Sequence, residues 1–456
     1  MTLPIALLEK YSQPGPRYTS YPTAPYFTES FGEKEWRDEL VLSQAGGRDL
    51  SLYVHIPFCD TLCYYCGCNM VATKDYTKAK RYLDTLFLEI DLLAERAGQE
   101  RAVRQLHWGG GTPTYLHPDD IARLAQYLRS RFSFAADVEA GCEVDPRELS
   151  QAHVAALRAA GFNRLSLGVQ DLDSAVQHAV NRVQSPAMIR QVLGWMRAEG
   201  FNSINLDLML GLPKQTVASF NHTLDQVIDM APDRLAVFGY AHVPWLKKHQ
   251  KLILEPELPS FAVRLEMQLG MHHKLAQAGY VYIGMDHFAK PGGELVKAQQ
   301  TKTLQRNFQG YTTHKNCDLY AFGASAISQT DAVYAQNFKG LLDYAARVSA
   351  GHLPVERGLR ITRDDKIRRD AISHIMCNLA LERQLFAAQW GIDFDQYFQA
   401  ALQGLKILEQ DDLVRTSAER IEVTAMGRYF LRNIAMCFDA YLAAEQPEQP
   451  RYSRTI

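Results

Sequence analysis

The chain has 456 residues, 47% of them hydrophobic and 22% charged, with a formal net charge of −2. That balance excludes a basic nucleic-acid footprint and a polybasic membrane anchor. No run approaches the ~18 apolar residues of a membrane span, and the length calls for a barrel-sized domain plus further material.

In chain order, the N-terminus "MTLPIALLEKYSQPGPRYTS" has neither a positive n-region nor a long apolar run. No secretory signal is expected, and a cytoplasmic location is. The Pro- and Tyr-rich stretch "PGPRYTSYPTA" (14–24) reads as loop. Residues 1–48 are therefore expected to form an N-terminal segment that folds over a site as a lid.

From residue 49 to about 290, short β-like runs alternate with helical patterns. Strands are predicted over 50–56, 105–110, 141–145, 164–170, 204–212, 234–241 and 280–288. Most are near-continuous apolar runs, as parallel strands covered on both faces are. Helices are predicted over 78–97, 119–132, 152–161 and 188–200; the first places Tyr82, Leu83, Leu86, Ile90 and Leu93 on one face, and two end in glycine, at Gly161 and Gly200. Repeated β-α units imply a parallel sheet with right-handed crossovers, a partial (βα)6-type TIM-like barrel within an α/β fold. Ligands then belong at the carboxyl ends of the strands. A mixed connecting segment is expected over 291–355. A mostly helical C-terminal domain is expected over 356–456, with a winged-helix-like strand–turn–strand in "DLVRTSAERIEVTAMG".

Four of the eight cysteines crowd into "CDTLCYYCGC": Cys59, Cys63, Cys66 and Cys68. In a reducing compartment such a cluster is metal-binding or catalytic before it is a disulfide framework. The others (Cys142, Cys317, Cys377, Cys437) read as small buried hydrophobes. A tetrahedral zinc site takes two cysteine pairs on separate loops. Three thiolates on one short loop after the first strand instead suit three corners of a [4Fe–4S] cube, whose usual fourth thiolate is lacking because Cys68 lies too near Cys66 to reach the opposite corner. After the second strand, Gly109, Gly110 and Gly111 in "HWGGGTPTYL" let backbone amides approach a ligand.

The C-x3-C-x2-C loop followed by "GGTP" resembles the radical S-adenosylmethionine (SAM) enzymes. "PGPRYTSYPTA", "SLYVHIPFC", "CYYCGCN", "EVDPRE", "GFNRLSLGVQD", "LDLMLGLPKQT", "IGMDHFA" and "RNFQGYTT" carry the resemblance further, over nearly the whole chain, to the bacterial oxygen-independent coproporphyrinogen III oxidases. That resemblance implies an oxidoreductase of haem (porphyrin) biosynthesis. Such an enzyme converts the ring A and B propionates of coproporphyrinogen III to vinyls through a 5′-deoxyadenosyl radical, giving protoporphyrinogen IX, CO2, methionine and 5′-deoxyadenosine. It implies that Cys59, Cys63 and Cys66 bind one cluster whose fourth iron is open to SAM. It implies a first SAM site at Tyr53, Gly110, Glu143 and Ile327, and a second at Tyr65, Gly111, Thr112, Gln170, Arg182, Asp207 and Ala241. Tyr53 is also carried as catalytic.

Arg17, Lys290 and Arg306 are cation candidates for the substrate's carboxylates. The implied partners are a tetrapyrrole substrate and an electron donor such as a flavodoxin or ferredoxin-type protein; no nucleic acid is implied, and a monomer is expected. Two related readings are a radical-SAM-type haem chaperone and another radical SAM enzyme acting on haem or a different tetrapyrrole. The oxidase-like N-terminal segment and Cys68 argue against the chaperone.

Overall fold

The computed structural model describes residues 5–98, 100–314, 316–444 and 452–455. The chain divides into two compact units, one formed by Phe27–Ala278 with Asn316–Arg360 and the other by Met1–Tyr26, Gly279–Lys315 and Ile361–Ile456. Residues 27–48, the second half of the expected lid segment, thus cluster with the barrel strands.

The first unit is built on six parallel strands in sequence order: β1 (Leu50–Ile56), β2 (Ala102–Gly110), β3 (Ser133–Val144), β4 (Arg164–Gln170), β5 (Ser203–Leu210) and β6 (Arg234–Gly239). Parallel neighbours require crossovers, and helices supply them. These are α2 (Thr77–Ala97), α3 (Pro118–Arg131), α4 (Gln151–Ala159), α5 (Pro186–Ala198) and α6 (Val217–Asp229); α1 (Glu33–Gly46) precedes β1, and α7 (Phe261–Gln277) follows β6. Leu52, Val54, Ile56, Leu167, Val169, Leu206 and Leu208 are fully buried, as the apolar runs require. Helix α2 buries Tyr82, Leu83, Leu86, Ile90 and Leu93, the face its spacing predicts. Ser185 and Thr216 cap α5 and α6 by accepting from the N–H three residues on, contributing about 1 kcal/mol each. β3 begins at Ser133, not at residue 141; its first five residues are exposed or half-buried and show no apolar run, which hid that start.

On the other side of β1 lie four strands, three within the expected mixed segment and a fourth running from its last residue into the span expected to be helical. β7 (Asp318–Phe322) runs parallel to β1, and β8 (Ile327–Gln329), β9 (Val333–Asn337) and β10 (Val355–Arg360) follow antiparallel. β7 and β9 are buried at all five positions. Their polar letters (Asp318, Gln336, Asn337) mask this. Helix α1 packs on this side, Trp36 meeting Tyr320 edge-on with ring centroids 5.9 Å apart.

A buried carboxylate fixes the turn between β7 and β8. Glu89 of α2, 1% exposed, accepts from the Gly323 N–H (2.7 Å), the Tyr344 hydroxyl (2.6 Å) and Asn337 Nδ2 (2.6 Å). The Tyr82 hydroxyl accepts from the Ala324 N–H (3.0 Å) and donates to the His55 carbonyl (2.8 Å), joining that turn to the end of β1. Gly323 has φ +99°, and a Cβ there would stand 2.3 Å from the Tyr82 hydroxyl.

In the second unit, residues 280–288 form a hairpin and not one strand: Val281–Gly284 turns at Met285 (φ +54°) into His287–Ala289. The C-terminal part holds helices Arg363–Ser373, Arg383–Trp390 and Gln399–Gln410. A three-stranded antiparallel sheet of Ala380–Glu382, Arg420–Val423 and Val414–Thr416 supplies the winged-helix-like strands. The buried Arg432 guanidinium donates to the carbonyls of Pro16 (3.0 Å), Arg454 (2.7 Å) and Ser453 (3.1 Å), tying residues near both termini to this unit. Among the described residues no helix is long and apolar enough to cross a membrane.

Candidate active site

All fourteen of the residues assigned above to the cluster and the two SAM sites fall in the first unit. Period-2 alternation sends Leu52 and Val54 to one face of β1 and Tyr53 and His55 to the other. On that second face the register carries a polar row across the sheet. Tyr53 pairs with His107, Glu143 with Ser166, Ser166 with Asn205, and Gly168 with Asp207. The Tyr53 and His107 rings stack with centroids 6.1 Å apart and planes 12° apart. The Tyr53 hydroxyl lies 3.1 Å from His55 Nδ1, whose other ring nitrogen lies 2.9 Å from the Asn69 carbonyl. Burial lowers the His55 pKa and so favours the neutral ring.

Glu143, at the end of β3, keeps 46% of its side chain exposed. Burial pushes its pKa up, but His107 Nε2 at 3.4 Å and the Gly110 N–H at 3.2 Å outweigh that and hold it below the usual range. Gly110 has φ +118°, and a Cβ there would lie 2.6 Å from the His55 ring. Gly111 allows a comparably close approach, here of backbone: its N–H donates to the Ile56 carbonyl (2.9 Å), and a Cβ would come within 2.7 Å of the Phe58 carbonyl. Thr112 follows, its N–H on the same Phe58 carbonyl (2.8 Å) and its hydroxyl 3.3 Å from Cys59 Sγ.

The cysteine loop is closed at its mouth by backbone pairing of Phe58 with Val71 and Cys59 with Ala72. Each of three sulfurs meets a neighbouring donor. Cys59 faces the Thr112 hydroxyl. Cys63 accepts from Arg147 Nη2 (3.4 Å) and Arg182 Nη1 (3.5 Å), and Cys66 accepts from the Cys68 N–H (3.4 Å). Burial pushes the Cys59 thiol up to about 12, whereas the hydrogen bond from the Cys68 thiol pulls Cys66 down. Cys68 itself is exposed. Among the described residues no three Cys, His, Asp or Glu side chains converge as ligands of a single ion. A cubic cluster needs no such convergence, since each thiolate takes its own iron. Three thiols on one loop, each sulfur with a hydrogen-bond donor, fit an iron–sulfur cluster.

Around this loop the remaining assigned residues are fixed as follows. Arg182, 8% exposed, joins Asp145 (3.0 Å) and donates to the Gly168 carbonyl (2.6 Å). Asp145 also pairs with Arg147 at 2.6 Å. Burial opposes its charge, but Arg182 and then Arg147 hold its carboxyl at about 2. Burial raises Asp207 to about 6 although Ser166 Oγ (2.7 Å) and Asn205 Nδ2 (2.7 Å) both donate to it. Gln170 closes β4 with φ +64° and is half-buried. Tyr65 packs on the cluster of Val176, Val180, Leu212 and Ile253. Ala241 is half-buried just past β6, and Ile327 opens β8 behind the turn that Glu89 holds.

Sequence reasoning missed His55, His107, Asp145, Arg147, Ser166 and Asn205. The signal was there for most: two-residue spacing from Tyr53 and Asp207 marks His55 and Asn205, and "EVDPRE" contains Asp145 and Arg147. It also missed the clamp on the loop. His249 Nε2 lies 2.7 Å from the Cys66 carbonyl, Lys247 donates to the Cys68 carbonyl (2.9 Å) and Gln250 to the Tyr65 carbonyl (2.9 Å). The three substrate-cation candidates lie in the second unit. Arg17 pairs with Asp286 at 2.6 Å, Arg306 donates to the Arg17 carbonyl (3.3 Å), and Lys290 is exposed.

Residues 53–227 match the Radical SAM superfamily and residues 361–430 the HemN C-terminal domain. Over 452 residues the chain is 48% identical to the oxygen-independent coproporphyrinogen III oxidase of Salmonella typhimurium, covering 99% of this chain and 98% of that one. The chain belongs to the oxygen-independent coproporphyrinogen III oxidase family. The Pseudomonas aeruginosa member is 46% identical with the same coverage. The solved structure of Escherichia coli coproporphyrinogen III oxidase (HemN), described as a radical SAM enzyme, superposes with a TM-score of 0.92 at 47% identity, covering 97% of this chain and 99% of that one. The fold is thus the radical SAM TIM-like one with a helical C-terminal domain, and membership makes the chain a radical SAM oxidoreductase. A [4Fe–4S] cluster and SAM come with the superfamily.

Proposed function

We propose that this member of the coproporphyrinogen III oxidase family oxidatively decarboxylates the ring A and B propionates of coproporphyrinogen III to vinyls, using one cluster held by Cys59, Cys63 and Cys66 and two SAM sites. When bound, the cluster and SAM supply a carbon radical able to take a hydrogen atom from an unactivated C–H bond. The protein's part is to bind and to aim. The observation that carries the assignment is the placement of Glu143, Gln170 and Asp207 at the carboxyl-terminal halves of β3, β4 and β5, on the polar face shared with Tyr53.

The residues then take distinct tasks. Glu143, ionised and half exposed, accepts the ribose hydroxyls of the first SAM through charge-assisted hydrogen bonds. Gly110 brings backbone close to the same ligand, and Tyr53 and Ile327 offer apolar surface to it. Gln170 presents a half-buried amide at the end of β4, and Asp207 sits between the donors Ser166 and Asn205, both suited to polar groups of the second SAM. Tyr65, Gly111, Thr112, Arg182 and Ala241 complete that site. Arg182 doubles as a donor to Cys63, which couples the second site to the cluster loop. An electron donor of the flavodoxin or ferredoxin type and a monomeric state complete the reading.

Anaerobic reconstitution followed by turnover tests it. Coproporphyrinogen III is expected to become protoporphyrinogen IX with release of CO2 and 5′-deoxyadenosine. Haem binding without turnover would assign the chain to the chaperone relatives. Cys66→Ser is expected to abolish cluster loading and activity together; retention of both would overturn the ligand assignment.

A further inference from the structure

The cysteine loop is clamped by one segment, residues 243–254, whose two sides differ in character. Its inner side is anchored. Gln250, 1% exposed, accepts from the Val243 N–H (2.6 Å) and donates to the Tyr65 carbonyl, and Ile253 is buried against Val176, Val180 and Leu212. Its outer side exposes Trp245 (57%), Leu246 (68%), Leu252 (56%) and Leu254 (59%). Large apolar side chains gathered on so short a stretch, on a rigid support, mark an interaction surface.

Charge narrows the partner. Residues 242–254 contain Lys247, Lys248 and Lys251; the acidic residues that follow, Glu255 and Glu257, lie near His242 (3.5 Å) and Lys214 (3.5 Å), in a chain whose formal net charge is −2. Lys248 and Lys251 are exposed, and so is Lys339, whose carbonyl accepts from Asn69 Nδ2 (3.1 Å) on the far side of the same loop. The exposed crown of the loop, Gly67 and Cys68, therefore stands between lysines. An apolar centre inside a basic rim fits a transient partner with an acidic rim, steered by charge and held by a small contact.

We propose that Trp245, Leu246, Leu252 and Leu254, ringed by Lys248, Lys251 and Lys339, form the docking surface for an acidic one-electron carrier protein that reduces the cluster. The inference rests on the ligand assignment of Cys59, Cys63 and Cys66. One electron leaves the reduced carrier, which is oxidised by one equivalent, and enters the cluster, which is reduced by one; no bond to protein forms or breaks. The clamp sets the path, because the segment that receives the carrier also holds the backbone carbonyls of Tyr65, Cys66 and Cys68.

Reduced flavodoxin, and in parallel a ferredoxin, serve as probes against the wild-type chain and the double variant Lys248→Glu/Lys251→Glu. Affinity is read on the cluster-free chain by fluorescence anisotropy, and electron delivery on the loaded chain by stopped-flow bleaching of the cluster. The double variant is expected to bind at least about tenfold more weakly and to accept electrons about tenfold more slowly, while its turnover with dithionite equals wild type. Wild-type affinity is expected to fall steeply between about 20 mM and about 200 mM salt. Equal affinity and equal bleaching rates in the two proteins overturn the proposal, as does binding by neither carrier. So does an equal loss of dithionite turnover in the variant, which would mean damage to the site. A dimer abolished by Leu246→Ser and Leu254→Ser, with carrier binding unchanged, would give the surface to a second copy instead. If wild type loads no cluster, the functional reading fails, and the binding measurement on the cluster-free chain still decides the surface.

Discussion

Arg182 places one nitrogen 3.5 Å from the sulfur of Cys63 and 3.0 Å from the carboxylate of Asp145, with all three groups buried. A guanidinium held this way delivers positive charge to a thiolate while its own charge is neutralised by a fixed acid. Removing it leaves Asp145 with Arg147 alone. Arg182→Met is expected to destabilise the cluster-free chain by about 3 kcal/mol, the lower end of the range for breaking a buried pair because Arg147 remains. Urea unfolding checks the first effect. Iron content after reconstitution checks the second, a lowered cluster occupancy.

Glu143 offers its carboxylate outward while His107 and the Gly110 amide hold it ionised. Glu143→Gln keeps the shape and removes the charge. SAM affinity is expected to fall by about 2 kcal/mol, roughly thirtyfold in Kd, as a charge-assisted hydrogen bond becomes a neutral one. Equilibrium dialysis with labelled SAM on the loaded protein measures this; an unchanged Kd would remove Glu143 from the ribose site.

Glu89 gives a pH signature. Burial raises its carboxyl from 4.5 to about 7, against the donors Tyr344, Gly323 and Asn337. Between those two values the unfolded chain has released the proton and the folded chain still binds it, so stability falls as pH rises through this window and levels off above it. The loss amounts to about 3 kcal/mol. Denaturant unfolding of wild type and Glu89→Leu from about pH 5 to about pH 8 is expected to show a steeper decline in wild type, the difference between the two curves being the share of Glu89.

Gly111→Ala and Gly67→Ala form a matched pair. A methyl at 111 would stand 2.7 Å from the Phe58 carbonyl and 2.8 Å from its nitrogen, whereas one at 67 meets nothing within 4 Å. The first is expected to cost about 2 kcal/mol and to lower iron loading by displacing residues 58–59. The second should leave both unchanged. Melting temperature and iron content distinguish them.

Much of this arrangement was legible in the sequence. The runs at 50–56 and 234–241 read as buried strands because most of their side chains are apolar, and 164–170 carries Leu165, Leu167 and Val169 at every second position; the cysteine and glycine spacings place the loop and the second turn. What escaped did so for physical reasons. β7 to β10 carry Asp318, Gln336, Asn337 and Arg357 inside a sheet, each hydrogen-bonded or ion-paired there, so composition disguised them. The hairpin at 281–289 looked like one strand because nothing in "IGMDHF" marks Met285 for a positive φ. The clamp of Lys247, His249 and Gln250 acts through backbone carbonyls some 180 positions away, a contact no local pattern encodes.

The pairing of Phe58 with Val71 and of Cys59 with Ala72, completed by the Val71 N–H on the Pro57 carbonyl (2.7 Å), makes the cysteine loop a ring closed by the polypeptide itself. Metal need not gather distant ligands or meet the entropy of closing that loop. A loop closed in this way is expected to hold its shape before metal enters it, which near-identical urea unfolding of the iron-free and iron-loaded chains would show. Loss of iron from such a loop is then expected to be reversible, the emptied chain reloading without refolding.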